Sequence, residues 1–169
     1  LQNEADLTFE IYTMSTWLSK ARQAFSGLRG VRVKSIVGNQ AYPNLLAGAD
    51  GLLLAYNFDP KSMAYVRYSM ANKFPELMGS ATPVLAYGPR GVATMERAKR
   101  SGCVQMVTER DESVLRAAIL EMVRNPKQAL TMGANAKEYI IKHYNLKKMK
   151  LRLKYLIEKA ACAKSGRIV

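Results

Sequence analysis

The sequence predicts an α/β fold: a doubly wound, Rossmann-like parallel sheet of five strands in the order 2-1-3-4-5, with helices on both faces and two extra C-terminal helices. Three observations carry this. Five short apolar runs alternate with stretches whose apolar residues recur at helical spacing, the pattern of a parallel sheet with crossover helices. The run GLLLAY, Gly51 to Tyr56, is apolar on both faces, as a central parallel strand requires. Five strands joined by such crossovers most simply take the flavodoxin-like order.

Taken in order, the strands are Leu7 to Tyr12, Val31 to Val37, Gly51 to Tyr56, Pro83 to Tyr87 and Cys103 to Val107. After Ser15, read as an N-cap, Trp17, Leu18, Ala21, Phe25 and Leu28 recur at helical spacing and form an inward face. A short helix covers Pro43 to Ala47, and another runs from about Asn72 to Gly79. The next, Gly91 to Ser101, stops at Gly102, a residue suited to the left-handed position after a helix. Val114, Leu115, Ala118, Ile119, Met122 and Val123 mark a helix that Asn125-Pro126 ends. Gln128 to Lys142 and Leu146 to Ala163 close the chain. Ligands of such sheets bind beyond the carboxyl ends of the strands. The segments to search are therefore Thr13–Trp17, Gly38–Tyr42, Tyr56–Pro60 and Tyr87–Gly91.

With 169 residues, the whole of 1–169 reads as one domain, with 145–169 as its basic C-terminal helix and tail. The opening LQNEADLTFE has neither a basic nor an apolar leader region, and it lacks an initiator Met, so missing upstream sequence is the expectation. No apolar run approaches the roughly 18 residues of a membrane span. Cys103 and Cys162 have no metal or redox spacing and read as reduced thiols of a cytoplasmic protein. The single histidine, His143, falls on a helix's apolar face and reads as packed. Lys and Arg number 26 against 13 acids, a net charge of +13. From Lys137 onward ten basic residues face two acidic ones, which places +8 of that excess at the end. Such a field favours an anionic partner, be it a diphosphate, a membrane surface or a nucleic acid.

The stretch SMANKFPELMGSATPVLAYGPRG, Ser69 to Gly91, resembles the donor-binding segment of GT-B glycosyltransferases of the group-1, family-4 kind. Lys73, Glu76, Leu77, Met78, Pro83, Val84, Leu85 and Ala86 fall in register with that segment, and Ala81 stands where the family usually has Gly. Upstream, Gly38 and Ala49-Asp50 match the family's passage between two strands. Downstream, Met132, Gly133 and Ala136 match its closing helices. The likeness runs from about Leu7 to Asn145.

The resemblance implies the nucleotide-sugar-binding half of an enzyme that moves a sugar from a nucleoside diphosphate to an acceptor hydroxyl. Neither cofactor nor metal is required. It assigns the ribose hydroxyls to Glu76, the diphosphate to Lys73 and to the backbone around Ser69 and Asn72, and the base edge to Gly38 and Asn39. The chemistry is consistent: a carboxylate at a helix start can accept two hydrogen bonds from a diol, and helix-start amides suit phosphate oxygens. By residue type alone, Lys73 and Glu76 at i, i+3 would be an ordinary surface pair.

Two departures matter. Many relatives carry a second glutamate, on the transferred sugar, at the position of Tyr68; a tyrosine hydroxyl can hydrogen-bond a sugar, but the family's contact does not carry over and the sugar's identity stays open. Relatives also have one more strand and helix ahead of the first strand here. Removing that strand still leaves a closed sheet of order 2-1-3-4-5. The acceptor-binding N-terminal domain would have to come from upstream sequence or from a partner chain. No residue stands out as a general base, so the catalytic group is unassigned.

Two other readings remain at this level. Thr13-Met14-Ser15-Thr16 is a hydroxyl-rich turn that could wrap the phosphate of a flavin. The last helix places Met149, Leu153, Leu156, Ile157 and Ala160 on one face and Lys147, Lys148, Lys150, Arg152, Lys154 and Lys159 around the rest. It reads first as a core-docked helix and second, over residues 147–159, as a peripheral contact with an anionic membrane surface. The absence of interleaved aromatics disfavours nucleic acid. Neither G-x-G-x-x-G, G-x-x-x-x-G-K-[ST] nor G-x-S-x-G occurs, which sets aside the enzyme classes built on them.

Overall fold

A computed structural model describes residues 6–165. The first residues of the opening, 1–5, and the end of the basic tail, 166–169, lie outside the described residues. Strand β1 (Phe9–Thr13) leads through helix α1 (Ser15–Ala24) to β2 (Val31–Ser35), and α2 (Tyr42–Ala47) leads to β3 (Leu52–Ala55). Helices α3 (Pro60–Val66) and α4 (Lys73–Gly79) precede β4 (Val84–Tyr87), and α5 (Ala93–Ser101) precedes β5 (Gln105–Val107). Helices α6 (Glu112–Arg124), α7 (Pro126–His143) and α8 (Leu146–Ser165) follow.

All five strands form where the apolar runs predict them, and all pair in parallel. Their grouping differs from the expectation. They make a two-stranded sheet, β1-β2, and a three-stranded sheet, β3-β4-β5, in place of one sheet in the order 2-1-3-4-5. The link that fails is β1 to β3. A parallel sheet is held by apolar layers on both faces, and no residue from 6 to 45 is buried. Of the predicted inward face of α1, Leu18 and Ala21 are half-buried on the side that meets β1 and β2, while Trp17 is 53%, Phe25 38% and Leu28 55% exposed. Ser15 is the first helical residue rather than the cap, and Met14 holds the cap position with no side-chain bond. With no shared core, nothing draws β1 against β3.

The run GLLLAY is accordingly an edge and not the centre: Leu54 is buried but Leu53 is exposed. The central strand is β4, in which Val84, Leu85 and Ala86 are all buried. Around it lie Phe74 and Met78 from α4, Met95 and Ala98 from α5 and Ala136 from α7, all essentially free of solvent. Burial of each large side chain contributes about 2–3 kcal/mol. The amphipathic spacing of α4 explains its placement, since Phe74, Leu77 and Met78 share the face turned to the core.

Local rules set the helix ends. Asp111 caps α6 by accepting from the Ser113 and Val114 amides; the Ser113 hydroxyl, which also donates to it, and then these amides hold its carboxyl below the usual range. Gly102 ends α5 at φ 64°, as predicted. Helix α3 forms in a stretch to which the sequence reading assigns no element. Its signal was Asp59-Pro60, with Pro at the first helical position and Asp59 accepting from the Ser62 amide. In α8, Met149, Leu153, Leu156 and Ile157 are 50–60% exposed, so the helix is not docked on this core. Leu151 and Tyr155 are exposed as well. His143 is exposed too, at the end of α7, with its ring 4.4 Å from that of Tyr139.

Ala81, in the turn between α4 and β4, has φ 66°, the left-handed region where a Cβ is strained by about 1–2 kcal/mol. Glycine removes that strain and gives back part of it as chain entropy in the unfolded state. Ala81→Gly is therefore expected to stabilise the protein by about 0.5–1 kcal/mol, a rise in Tm of roughly 2 °C. An unchanged or lowered Tm by calorimetry would show that the turn carries no such strain.

Candidate functional site

Residues 67–72, between α3 and α4, are pinned to the start of α5. The Arg67 carbonyl accepts from the Ala93 amide at 2.8 Å. The hydroxyl of Thr94, fully buried, accepts from the Ala71 amide at 2.9 Å and donates to the Ser69 carbonyl at 3.2 Å. This loop delivers the chain into α4, whose first turn carries Lys73 and Glu76. Thr94→Val keeps the shape but strips both bonds, and leaving such groups unpaired costs about 2 kcal/mol. A fall in Tm of about 5 °C is expected; a melt equal to wild type would mean that the loop is held by something else.

Glu76 is exposed, and no ion pair to it is found among the described residues. Its Oε2 accepts from the Tyr42 hydroxyl at 3.4 Å. Tyr42 opens α2, directly after the turn in which the Gly38 carbonyl accepts from the Ala41 and Tyr42 amides, at 3.0 and 3.1 Å. Tyr42 thus ties the loop after β2 to the start of α4, two segments 34 residues apart. Burial, and then the Glu76 charge, push the Tyr42 phenol above its ordinary value. A methyl group built on Gly38 would meet nothing within 4 Å, so the loop borders open space.

Among the predicted site residues, Gly38, Asn39, Lys73 and Glu76 lie on these two linked segments, beyond the exits of β2 and before β4. Lys73 is exposed and is the first residue of α4. Asn72 occupies the position before α4 and makes no side-chain cap. The Ser69 amide donates to the Val66 carbonyl at 3.0 Å and the Ala71 amide to Thr94, so these two are committed inside the fold. Tyr68 is 85% exposed, with the Arg67 guanidinium 5.4 Å above its ring.

At the exit of β3 a separate surface cleft of about 750 Å³ is lined by residues including Tyr56, Asn57, Lys61, Ser62 and Tyr65. Glu76 is not part of its lining. The hydroxyl-rich turn after β1 is taken up largely by α1, which begins at Ser15.

Sequence reasoning missed Thr94 and gave Tyr42 no role, although the segment marked for search, Gly38–Tyr42, ends on it. Thr94 had no readable signal, because its partners are backbone atoms more than twenty residues upstream. Tyr42 had one, an aromatic at the last position of that segment, where a short helix begins.

No family model and no curated protein matches the sequence. Solved structures match the fold. Sucrose-phosphate synthase from Thermosynechococcus elongatus aligns over 91% of this chain at 16% identity, with a TM-score of 0.70. HepE from Anabaena, in complex with UDP, aligns over 90% at 14% identity and 0.69, and its complex with UDP-glucose scores 0.68 at the same coverage and identity. At such identities the likeness is one of fold. The chain spans about two fifths of those proteins, 38% of the synthase and 41% of HepE. Among the described residues, no helix is long and apolar enough to cross a membrane.

Proposed function

We propose that this chain is the nucleotide-sugar-binding part of a glycosyltransferase, moving a sugar from a nucleoside diphosphate to an acceptor hydroxyl without a metal. The observation that carries the reading is the state of Glu76: an exposed carboxylate, unpaired with any cation among the described residues, at the start of α4 and linked to the loop after β2. Both of its oxygens can accept from vicinal hydroxyls, the pattern a ribose offers. The Ser69–Gly91 resemblance assigns it that task, and the fold likeness to HepE, which was solved with UDP and UDP-glucose, agrees.

In this reading the base edge lies along Gly38 and Asn39. The diphosphate meets Lys73, Asn72 and the loop from Ser69, with the amides of Ser69 and Ala71 excluded because they are already bonded. The Lys73 ammonium and the start of α4 offset the charge that gathers on the departing diphosphate. Tyr68 is placed on the transferred sugar. The acceptor site belongs to a further domain or to a partner chain.

Calorimetric titration of the 169-residue chain with UDP, GDP, ADP, CDP and TDP tests this. One diphosphate should bind measurably, with UDP the first candidate. Binding by none of the five, in this chain or in a longer protein containing it, would overturn the reading.

A further inference from the structure

We infer that Tyr42 is a positioning residue of this site, holding the Glu76 carboxylate in the orientation that receives the ribose diol; the inference rests on the donor-binding reading above. Glu76 sits on an exposed helix start, and a free glutamate there would sample several rotamers. Tyr42 is the side chain that restrains it. The ring packs against the core group that includes Leu46, Leu54, Phe74 and Leu77, so the hydroxyl is carried on a fixed body. That hydroxyl donates to Oε2 of Glu76 at 3.4 Å. A carboxylate oxygen has lone pairs for more than one donor, so Oε2 stays usable and Oε1 is left to the ligand.

The backbone of Tyr42 is fixed in turn. Its amide donates to the Gly38 carbonyl at 3.1 Å, which couples the loop assigned to the base with the carboxylate assigned to the ribose. Tyr42 would therefore set the distance between the two halves of a nucleoside. Its raised pKa keeps the hydroxyl protonated as a donor. Binding that depends on it should stay level between about pH 7 and 9, below the ordinary phenol value.

The experiment is a titration of the full 169-residue chain with UDP and with 2′-deoxy-UDP, for wild type, Tyr42→Phe and Glu76→Gln. Wild type should prefer UDP. Tyr42→Phe should weaken UDP by about fivefold, the scale of one hydrogen bond, while changing 2′-deoxy-UDP much less, so that the preference collapses. Phe keeps the ring and its packing, and its melt should match wild type. A purely structural role would weaken both nucleotides equally, and that outcome overturns the inference. Equal binding of UDP by Tyr42→Phe and wild type, with Glu76→Gln impaired, overturns it also while sparing the donor-binding reading. An unimpaired Glu76→Gln removes the ribose assignment and the inference with it, whereas only an absence of nucleotide binding by wild type removes the donor-binding reading.

Discussion

Gly133→Ala is expected to lower the melting temperature by about 10 °C, since an added Cβ there makes the tightest approach of any described glycine. Gly133 lies buried in α7 where that helix crosses the turn between α4 and β4. A Cβ there would stand 2.2 Å from the Ala81 carbonyl oxygen, 2.9 Å from its carbon and 3.0 Å from the Pro83 nitrogen. All three are backbone atoms, and none can rotate away. The turn is itself fixed, by the left-handed Ala81 on one side and by the first residues of the central strand on the other. Relief would require α7 to lift off α4 and open the packing around Ala136, Phe74 and Met78. Overpacking a core commonly costs 1–3 kcal/mol, and a clash against rigid backbone belongs at about 3 or above. For a chain of this size that corresponds to roughly 10 °C. The exposed neighbour Ala134 provides the control, since Ala134→Ser should leave the melt nearly unchanged. A normal melt for Gly133→Ala would mean that α7 does not lie against the turn.

Glu76→Ala is expected to weaken UDP binding by about a hundredfold or more. Two hydrogen bonds to an ionised carboxylate contribute about 1.5–3 kcal/mol each, and the loss of both is worth at least two decades of affinity. The same substitution should leave stability within about 0.5 kcal/mol, because the side chain is exposed and carries no ion pair among the described residues. This separation of binding from stability distinguishes a ligand from a packing residue. Lys73→Ala should weaken UDP less and with a clear salt dependence, as a solvent-exposed cation on a diphosphate does. Undiminished UDP binding by Glu76→Ala would remove the ribose assignment.

How far these sites could be read in advance depends on what kind of force places each residue. The strands were legible because period-2 and continuous apolar runs report on burial along a few neighbouring residues, as Val84 to Tyr87 shows. The close of α5 at Gly102 and of α6 at Asn125-Pro126 was legible for the same reason, since backbone geometry at a helix end is local. The segment from Ser69 to Gly91 was legible as a unit because its residues are consecutive. Its one irregular position even carried a structural meaning: Ala81, at the point where the donor-binding segment it resembles usually has glycine, adopts the left-handed backbone that glycine favours. Gly133 was legible as part of a pattern, but its reason, a helix lying on that same turn, was not.

The sequence by itself determined the identity and order of the strands, their parallel pairing, the helix that presents Lys73 and Glu76, and the loop that carries Gly38 and Asn39. The elements follow from periodicity, capping or turn chemistry acting within about a dozen residues, and the parallel pairing from the regular alternation of strands with helices. Only the tertiary structure decided that the strands divide between β1-β2 and β3-β4-β5, that Trp17, Phe25 and Leu28 around α1 and the apolar side of α8 stay exposed, that Thr94 fixes the loop before α4, and that Tyr42 reaches Glu76. These depend on which surfaces meet across tens of residues. A pattern can say that a face is apolar, but not whether the chain supplies another face to bury it.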